Sequence, residues 1–235
     1  MFVDTSALKE QVVDDVIASA FNAAGQRCSA LRVLFLPHET ADEILECLMG
    51  AMDELAIGDP SVAQTDIGPV IDEAAKAELM SHISRMKSEQ KILKSCTSPS
   101  AGSFVAPTLV EINTLDCLGK EVFGPVLHVL RYKNKNLTKI AKQFAGKKYG
   151  LTLGVHSRID LFAKTIREIV PAGNFYVNRN MIGAVVGVQP FGGVGLSGTG
   201  PQAGGPHYLP RFASERTVTI NITAQGGDPA LLNLD

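Results

Sequence analysis

The sequence has little that would direct it to a membrane, a nucleic acid or a metal. It carries 22 basic and 24 acidic residues, a net charge of −2, and only 6% aromatic residues. No apolar run approaches the roughly 20 residues that a membrane-spanning helix needs. A nearly balanced charge gives no general attraction to nucleic acid or to an anionic membrane surface. The 45% apolar content is that of an ordinary globular protein and leaves the enzyme classes open.

The sequence also lacks the patterns of a disulfide framework or a zinc site. Its four cysteines, Cys28, Cys47, Cys96 and Cys117, are widely spaced and form no C-x-x-C pair. The five histidines show no metal-ligand spacing. Such usage is typical of reduced, intracellular proteins, so we predict a cytoplasmic protein without a bound metal. Cys47 falls on the apolar face of its predicted helix, and we expect it in the core.

Apolar periodicity alternates between the helical and the extended type along the chain. Alternation of this kind predicts an α/β fold with a mostly parallel sheet flanked by helices. A T-x-x-E pair, Thr40 and Glu43, predicts a capping box at the start of the second helix. The predicted helices cover 8–24, the segment after 40, 72–89, 137–144 and 160–170, and the predicted strands cover 31–36, 104–112, 126–132, 151–156 and 174–178.

The last third of the chain is rich in glycine from Gly183 to Gly205. Within it, residues 193–198 match the G-x-G-x-x-G pattern of dinucleotide-binding loops. That loop must open a helix, and the following Gly200-Pro201 cannot do so, which argues against a dinucleotide site here. A β-branched strand is predicted over 217–223. It has no obvious hairpin partner, so we expect it to pair with a distant segment or another subunit.

The most informative stretch is Gly25-Gln26-Arg27-Cys28-Ser29-Ala30. It places Cys28 on a glycine-led turn between a long helix and a buried strand, a plausible position for a thiolate nucleophile. An arbitrary cysteine is more often a small buried hydrophobic residue. Two distant segments favour the catalytic interpretation: E-V-F-G-P at 121–125 and P-F-G-G at 190–193.

Together these three segments resemble the aldehyde dehydrogenase superfamily, in the same order and over essentially the whole chain. Within the superfamily the resemblance is greatest to L-glutamate γ-semialdehyde (1-pyrroline-5-carboxylate) dehydrogenases. The segments 25–33 and 198–212 are similar to the bifunctional bacterial proline utilization A family. The resemblance implies an oxidoreductase of proline catabolism that converts L-glutamate γ-semialdehyde to L-glutamate with NAD.

The resemblance also implies roles for individual residues. Cys28 would attack the aldehyde carbon to give a thiohemiacetal and then a thioester. In the cofactor site, Glu121 would accept hydrogen bonds from the nicotinamide ribose, and Phe123 would lie near the nicotinamide.

The substrate carboxylate would have its own receptor, made of the Ser29 hydroxyl and the backbone amides of Gly183 and Ala184. Exposed amides in a glycine-led loop suit an anion. Phe191 would form a wall around the aliphatic chain of the aldehyde. From the residues alone, Ser29 could equally be satisfied by the backbone and Phe191 could be plain core.

The resemblance further implies that parts of the family's machinery lie outside these 235 residues. They include the NAD-binding domain, the glutamate that activates the hydrolytic water, and the asparagine that completes the oxyanion hole. FAD would belong only to an absent proline dehydrogenase part. We therefore expect a fragment whose main partner is the NAD-binding domain of the same polypeptide. Residues 1–205 would be the cysteine-bearing catalytic domain, and 206–235 a C-terminal segment with an oligomerisation strand.

Other functions remain open from the residues. A thiol hydrolase could pair Cys28 with one of the histidines at 38, 82, 128, 156 or 207. The chain could be another aldehyde dehydrogenase, or a catalytically silent fragment that only self-associates into a homo-oligomer. A basic run between Arg131 and Lys148 indicates a solvated helix face rather than a nucleic-acid site, because few aromatic side chains accompany it.

Without the cofactor domain and the water-activating glutamate, we expect the purified 235-residue chain to form no NADH from NAD and glutamate γ-semialdehyde. Absorbance at the NADH band measures this. NADH formation that a Cys28→Ala substitution removes would contradict the expectation.

Overall fold

A seven-stranded, mostly parallel sheet organises the molecule. The computed structural model describes residues 1–198, 200 and 202–221. Within them, the strands are β1 (Phe2–Val3), β2 (Val33–Pro37), β3 (Lys91–Ser95), β4 (Thr108–Glu111), β5 (Val126–Tyr132), β6 (Tyr149–Gly150), β7 (Thr152–His156), β8 (Asn174–Val177) and β9 (Val194–Gly195). The large sheet has the order β3-β4-β5-β2-β1-β7-β8, and β6 pairs with β9 in a separate two-stranded sheet. Every pairing in the large sheet is parallel except that of β3 with β4.

Five α-helices flank the large sheet within the described residues. They are α1 (Lys9–Phe21), α2 (Ala41–Asp53), α3 (Glu73–Glu89), α4 (Leu137–Ala145) and α5 (Asp160–Ile169). The helices α1 and α2 contact each other, as do α4 and α5. The predicted α/β architecture is therefore confirmed.

The core is densest around the central strands β1 and β2. All five residues of β2 are buried, as expected of a parallel strand covered on both faces. The rings of Phe2 and Phe35 stack with their centroids 4.1 Å apart, and Phe144 of α4 packs edge-on against both. The buried hydroxyl of Tyr132 donates to the Val3 carbonyl at 2.6 Å and so satisfies its polar group.

Two details of the helix predictions are wrong. The first helix ends at Phe21 and not at Ala24, because Ala23 and Ala24 adopt left-handed φ angles of 54° and 53°. The capping box at α2 is absent: Thr40 is the N-cap residue, but its side chain makes no capping hydrogen bond. Its backbone is helical (φ −119°, ψ −1°) where a capping residue is normally extended, so the hydroxyl does not face the first-turn amides.

Two further predictions need correction. Cys47 is exposed and not in the core, because the buried stripe of α2 follows Ile44, Leu45, Leu48 and Met52 and leaves position 47 on the solvent side. The edge strand β3 has no counterpart in the predicted elements. It runs antiparallel, is only partly buried and carries two lysines, as edge strands commonly do.

The glycine-rich segment folds as predicted in one respect. Within 193–198 the chain forms the short strand β9, and the described residues that follow, 200 and 202–208, open no α-helix. Residues 217–221 are exposed and belong to no β-ladder of the described chain, while 222 and 223 lie outside the described residues. Pairing of the 217–223 segment with another subunit stays a prediction, as do the domain boundaries at 205 and 206.

None of the helices in the described part of the chain is long and apolar enough to cross a membrane. All four cysteines are free thiols. Among the residues described, no group of three or more acidic, histidine or cysteine side chains is arranged to hold a metal ion. The cytoplasmic location and the lack of a metal nevertheless stay predictions.

Gly25 should resist substitution, and Gly50 should not. Gly25 has φ +64°, and a Cβ there would lie 2.3 Å from the Gly124 carbonyl oxygen. Gly25→Ala should therefore lower the free energy of unfolding by more than 1 kcal/mol, since strain and a backbone clash add. Urea denaturation measures this.

The matched control is Gly50→Ala within α2, where an added Cβ meets nothing within 4 Å. This substitution should stabilise the protein by roughly 0.5–1 kcal/mol, since alanine favours the helix. Equal effects of the two substitutions would contradict the close contact at Gly25.

Candidate active site

The turn that carries Cys28 has an unusual backbone. Ala23, Ala24 and Gly25 take left-handed φ angles in succession, which reverses the chain after α1. The Ala30 amide then donates to the Arg27 carbonyl at 3.0 Å and closes a turn around Cys28. Cys28 is exposed at the tip of this turn, as predicted from its sequence position. Left-handed alanines are strained, and strain of this kind concentrates at functional sites.

Glycine residues bring the E-V-F-G-P segment against the cysteine turn. The Cα of Gly25 lies so close to the Gly124 carbonyl that no side chain fits between them. Gly124 itself is packed against Leu79 of α3, where a Cβ would come within 2.5 Å of the leucine side chain. The two segments, about 100 residues apart in sequence, are therefore in backbone contact.

Gln26 fixes the cysteine turn to the loop that precedes α3. Its side-chain amide nitrogen donates to the carbonyls of Ala23 (3.2 Å) and Pro69 (3.3 Å), and its oxygen accepts from the Ile71 amide at 2.8 Å. Our sequence reasoning did not single out Gln26. Its position directly after Gly25 in the motif was the available signal.

Arg32 is a second residue that sequence reasoning missed. Its guanidinium donates to the carbonyls of Gly25 (2.6 Å), Arg27 (3.1 Å) and Gly124 (3.3 Å) and to the Glu121 carboxylate (3.2 Å). It also lies over the Phe123 ring, 4.7 Å from the ring centroid. Arg32 thus contacts both the cysteine turn and the two predicted cofactor-binding residues.

A small cavity of about 150 Å³ lies beside Cys28, at the amino ends of the central strands. It is lined by Cys28, Arg32, Glu121, Thr152 and Ser197, among others. A larger cleft of about 760 Å³ is also lined by Glu121 and includes Phe123. The structure therefore brings Cys28, Glu121 and Phe123 into one region.

The glycine-rich segment reaches the same region through β6. The Gly150 amide donates to the Ser197 hydroxyl at 3.0 Å, and the neighbouring Thr152 hydroxyl donates to the Ser29 carbonyl at 3.3 Å. Residues 149–152 therefore join the glycine-rich segment to the cysteine turn.

The four predicted substrate-binding residues do not come together at the clefts near Cys28 and Glu121. Ser29 is buried, with 4% of its surface exposed. Gly183 has φ +76° and is exposed, and Ala184 is half-buried. Neither amide donates to a protein acceptor among the described residues. Phe191 is half-buried and exchanges backbone hydrogen bonds with Ala203. None of these four residues lines either cleft.

The histidine next to Cys28 is unsuited to act as its base. His128 lines the small cavity, but its Nδ1 is 3.0 Å from the Arg32 carbonyl and its Nε2 is 2.9 Å from Nε2 of His82. Burial lowers the pKa of His128 to about 4 and also lowers that of His82. Both ring nitrogens of His128 are thus occupied.

Two other histidines lie at the wrong end of the sheet. His38 follows the last residue of β2, and His156 ends β7. Cys28 precedes the amino end of β2, so at about 3.3 Å per residue the length of a strand, some 13 Å or more, separates them. In the part of the chain that is described, no hydrogen bond joins the Cys28 sulfur to a histidine. This argues against the thiol hydrolase alternative.

Comparison with known proteins identifies the family. The family model described as "Aldehyde dehydrogenase family" matches residues 1–218. The chain belongs to the aldehyde dehydrogenase family. Its cysteine turn and E-V-F-G-P segment are therefore parts of an aldehyde dehydrogenase fold.

Two groups of relatives are similar to this aldehyde dehydrogenase chain. The "Bifunctional protein PutA" of Klebsiella aerogenes is 54% identical over 224 residues, which are 92% of this chain and 17% of that protein. The "1-pyrroline-5-carboxylate dehydrogenase" of Bacillus cytotoxicus is 36% identical over 221 residues, which are 92% of this chain and 42% of that protein. The chain thus spans less than a fifth and about two fifths of these relatives.

Solved structures show the same similarity. A variant of Proline Utilization A from Bradyrhizobium japonicum superimposes with a TM-score of 0.92 at 57% identity, over 96% of this chain and 23% of that chain. A 1-pyrroline-5-carboxylate dehydrogenase from Thermus with bound NAD gives a TM-score of 0.82 at 34% identity, over 90% and 41% of the two chains. The fold class is thereby confirmed.

The four thiols should react with iodoacetamide at different rates. Cys28 and Cys47 are both exposed, so Cys47 is no protected reference. Cys96 and Cys117 are half-buried, and desolvation raises the pKa of both thiols. Because the thiolate is the reactive form, both should be alkylated more slowly than Cys28 near neutral pH. Peptide mapping of the labelled protein measures the four rates. Alkylation of Cys28 at or below the rate of Cys96 would show that its thiol is not accessible.

Proposed function

We propose that this chain provides the cysteine-bearing part of an NAD-dependent active site that oxidises L-glutamate γ-semialdehyde to L-glutamate. The observation that carries the proposal is the backbone contact between the Cys28 turn and the E-V-F-G-P segment, at Gly25 and Gly124, beside one cavity. The similarity to PutA and to 1-pyrroline-5-carboxylate dehydrogenases supports this choice of substrate over other aldehydes.

The nucleophile in this proposal is the Cys28 thiolate. Its sulfur forms a bond to the aldehyde carbon, and the carbonyl electron pair moves to the oxygen to give a thiohemiacetal oxyanion. The Cys28 backbone amide donates one hydrogen bond to that oxyanion. Oxidation at the same carbon gives a thioester on Cys28, which water cleaves to the product acid and the free thiol.

The cofactor side of the site fits a nicotinamide nucleotide. The Glu121 side chain is partly exposed, with Oε1 held by Arg32 and Oε2 left for ribose hydroxyls. The exposed Phe123 ring offers a flat apolar contact for the nicotinamide. The chemistry that NAD supplies when bound is the acceptance of a hydride. FAD has no role in this part of the proposal.

Substrate choice would depend on a receptor for the α-carboxylate. The amides of Gly183 and Ala184, with no acceptor among the described residues, are available to an anion. The Ser29 hydroxyl, next to the nucleophile, would donate a further hydrogen bond, and Phe191 would cover the methylene groups. Amide and hydroxyl donors suit the carboxylate of this semialdehyde, and an aromatic ring suits its methylene groups.

The proposal extends to the partners of the chain. We propose that the NAD-binding domain and the water-activating glutamate belong to other parts of a longer polypeptide, in line with the 17% and 42% coverage. Val218 and Ile220, 68% and 60% exposed, favour self-association through the 217–223 segment. A homo-oligomer is thus part of the proposal.

The carboxylate receptor can be tested with Ser29→Ala in a complete aldehyde dehydrogenase polypeptide that contains this segment. Loss of one hydrogen bond to a charged group should cost roughly 1.5–3 kcal/mol. The KM for glutamate γ-semialdehyde should therefore rise by about tenfold or more, while the KM for propanal should change little. Steady-state kinetics with both aldehydes measures this.

Ser157→Ala is the matched control, because Ser157 is also 4% exposed but lies beyond the opposite end of β7, bonded to Asp4. It should leave the ratio of the two KM values unchanged. An equal loss for both aldehydes in Ser29→Ala would mean that Ser29 supports Cys28 and does not bind the carboxylate. Absence of any aldehyde oxidation that depends on Cys28 would refute the proposed function itself.

A further inference from the structure

The Arg32 side chain connects two segments that are far apart in sequence. Nη1 donates to the carbonyls of Gly25 and Gly124, Nη2 donates to the Arg27 carbonyl, and Nε donates to Glu121. Three of these acceptors are backbone carbonyls: those of Gly25 and Arg27 shortly before Cys28, and that of Gly124 within the E-V-F-G-P segment. The side chain is only 16% exposed, so water competes little for these bonds.

The backbone of Arg32 is also fixed. Its carbonyl accepts from the amide of His128 at 3.1 Å and lies 3.0 Å from Nδ1 of the same residue. Because a carbonyl oxygen can only accept, Nδ1 of His128 carries the proton that faces Arg32, and Nε2 faces His82 at 2.9 Å. Arg32 is therefore held at its main chain while its guanidinium reaches four acceptors.

Only arginine has the geometry for this arrangement. Its guanidinium presents five N–H groups in a rigid plane, whereas a lysine ammonium is a single point of charge. The guanidinium carbon also lies over the Phe123 ring, 4.7 Å from its centroid, and this cation–π contact adds to the hydrogen bonds. The number and directions of the acceptors thus select a planar fork and not simply a positive charge.

We propose that Arg32 is a positioning residue that holds Glu121 in place for the cofactor and the Cys28 turn in place for the aldehyde. The part that concerns the cofactor rests on the proposed function. The part that concerns the thiol does not. Because one guanidinium binds both Glu121 and the Cys28 turn, a change at Arg32 affects the cofactor side and the thiol side of the site at once.

The electrostatics agree with this geometry. Burial lowers the pKa of Arg32, while Glu121 and Cys28 act in the opposite direction and raise it. The guanidinium stays cationic in any case.

The first experiment uses the 235-residue chain and needs no catalytic activity. Iodoacetamide labelling of Cys28 is compared with labelling of the exposed Cys47 in the same sample, at pH 7. In Arg32→Gln the ratio of the two rates should fall at least threefold, because the Gly25 and Arg27 carbonyls lose the donors that hold the Cys28 turn in its exposed position.

Arg131→Gln is the matched control for this labelling. Arg131 is similarly buried, with 20% of its side chain exposed, and binds the carboxylates of Glu111 and Asp42. It lies on β5, away from both clefts. Its replacement should leave the ratio unchanged. An unchanged ratio in Arg32→Gln, or an equal fall in both variants, overturns the role of Arg32 at the thiol.

The second experiment measures the KM for NAD in a complete aldehyde dehydrogenase polypeptide with this segment. Arg32→Gln and Glu121→Gln should each raise the KM about tenfold, and the double variant should be no worse than the worse single one, because both act through one carboxylate. Arg32→Lys should not restore the KM, since an ammonium cannot replace the fork. If the double variant raises the KM by the product of the two single effects, or if Arg32→Lys restores the KM, the positioning role of Arg32 at Glu121 is overturned.

The two experiments separate the proposals. If the complete polypeptide oxidises no aldehyde, the proposed function fails, and the labelling ratio still decides whether Arg32 acts on the thiol. If it oxidises the aldehyde but the double variant shows multiplied effects, only the Arg32 proposal for the cofactor fails.

Discussion

The close approach of Gly25 to the Gly124 carbonyl is the constraint on which the rest of the site depends. A backbone contact of this kind leaves no room for a side chain and fixes the distance between the two segments. Once they are in contact, the carbonyls of both become acceptors for one nearby guanidinium. This backbone contact places Cys28 and Glu121 in one region of the molecule. The two residues do not need long or adaptable side chains to come together there.

The position of the site on the sheet is informative as well. In open parallel sheets, ligands usually bind beyond the carboxyl ends of the strands. Here the cavity beside Cys28 lies at the amino ends of β2, β5 and β7. The carboxyl ends of β2 and β7 instead carry His38 and His156, far from the nucleophile. The sheet therefore acts as a rigid support for the cysteine turn, and the G-x-G-x-x-G match at 193–198 belongs to a short strand and its turn.

Sequence reasoning predicted the elements whose signals are local. The strand over 126–132 was predicted with its observed bounds, and the helices over 72–89, 137–144 and 160–170 agree within about one residue at each end. It failed where a backbone angle or the exact limit of a buried helix face decides the outcome. The end of α1 depends on left-handed alanines that no propensity favours, and the absence of a Thr40 cap depends on a backbone angle. Cys47 was predicted in the core because it was assigned to the apolar face of its helix, next to the buried Leu48 in the sequence. In a helix, a step of one residue moves a side chain from the buried face toward the solvent.

Within the site, the motif residues Cys28, Glu121 and Phe123 were found because family resemblance marks them. Arg32 and Gln26 were not found, since their importance lies in which carbonyls they reach, and a sequence does not show that. The same limit applies to Ser29, Gly183, Ala184 and Phe191, whose types suit a carboxylate receptor but whose proximity to one another is a matter of tertiary structure.

The reversal of the chain after α1 has an electrostatic consequence. The carboxyl end of a helix carries a partial negative charge, and α1 ends only seven residues before Cys28. Many reactive thiols instead sit at the amino end of a helix, where the backbone dipole favours the thiolate. In this fold the side chain of Arg32 binds carbonyls of the turn that follows α1. The support of the nucleophile's turn is therefore open to change by a single codon, whereas a helix dipole cannot be altered without rebuilding the fold.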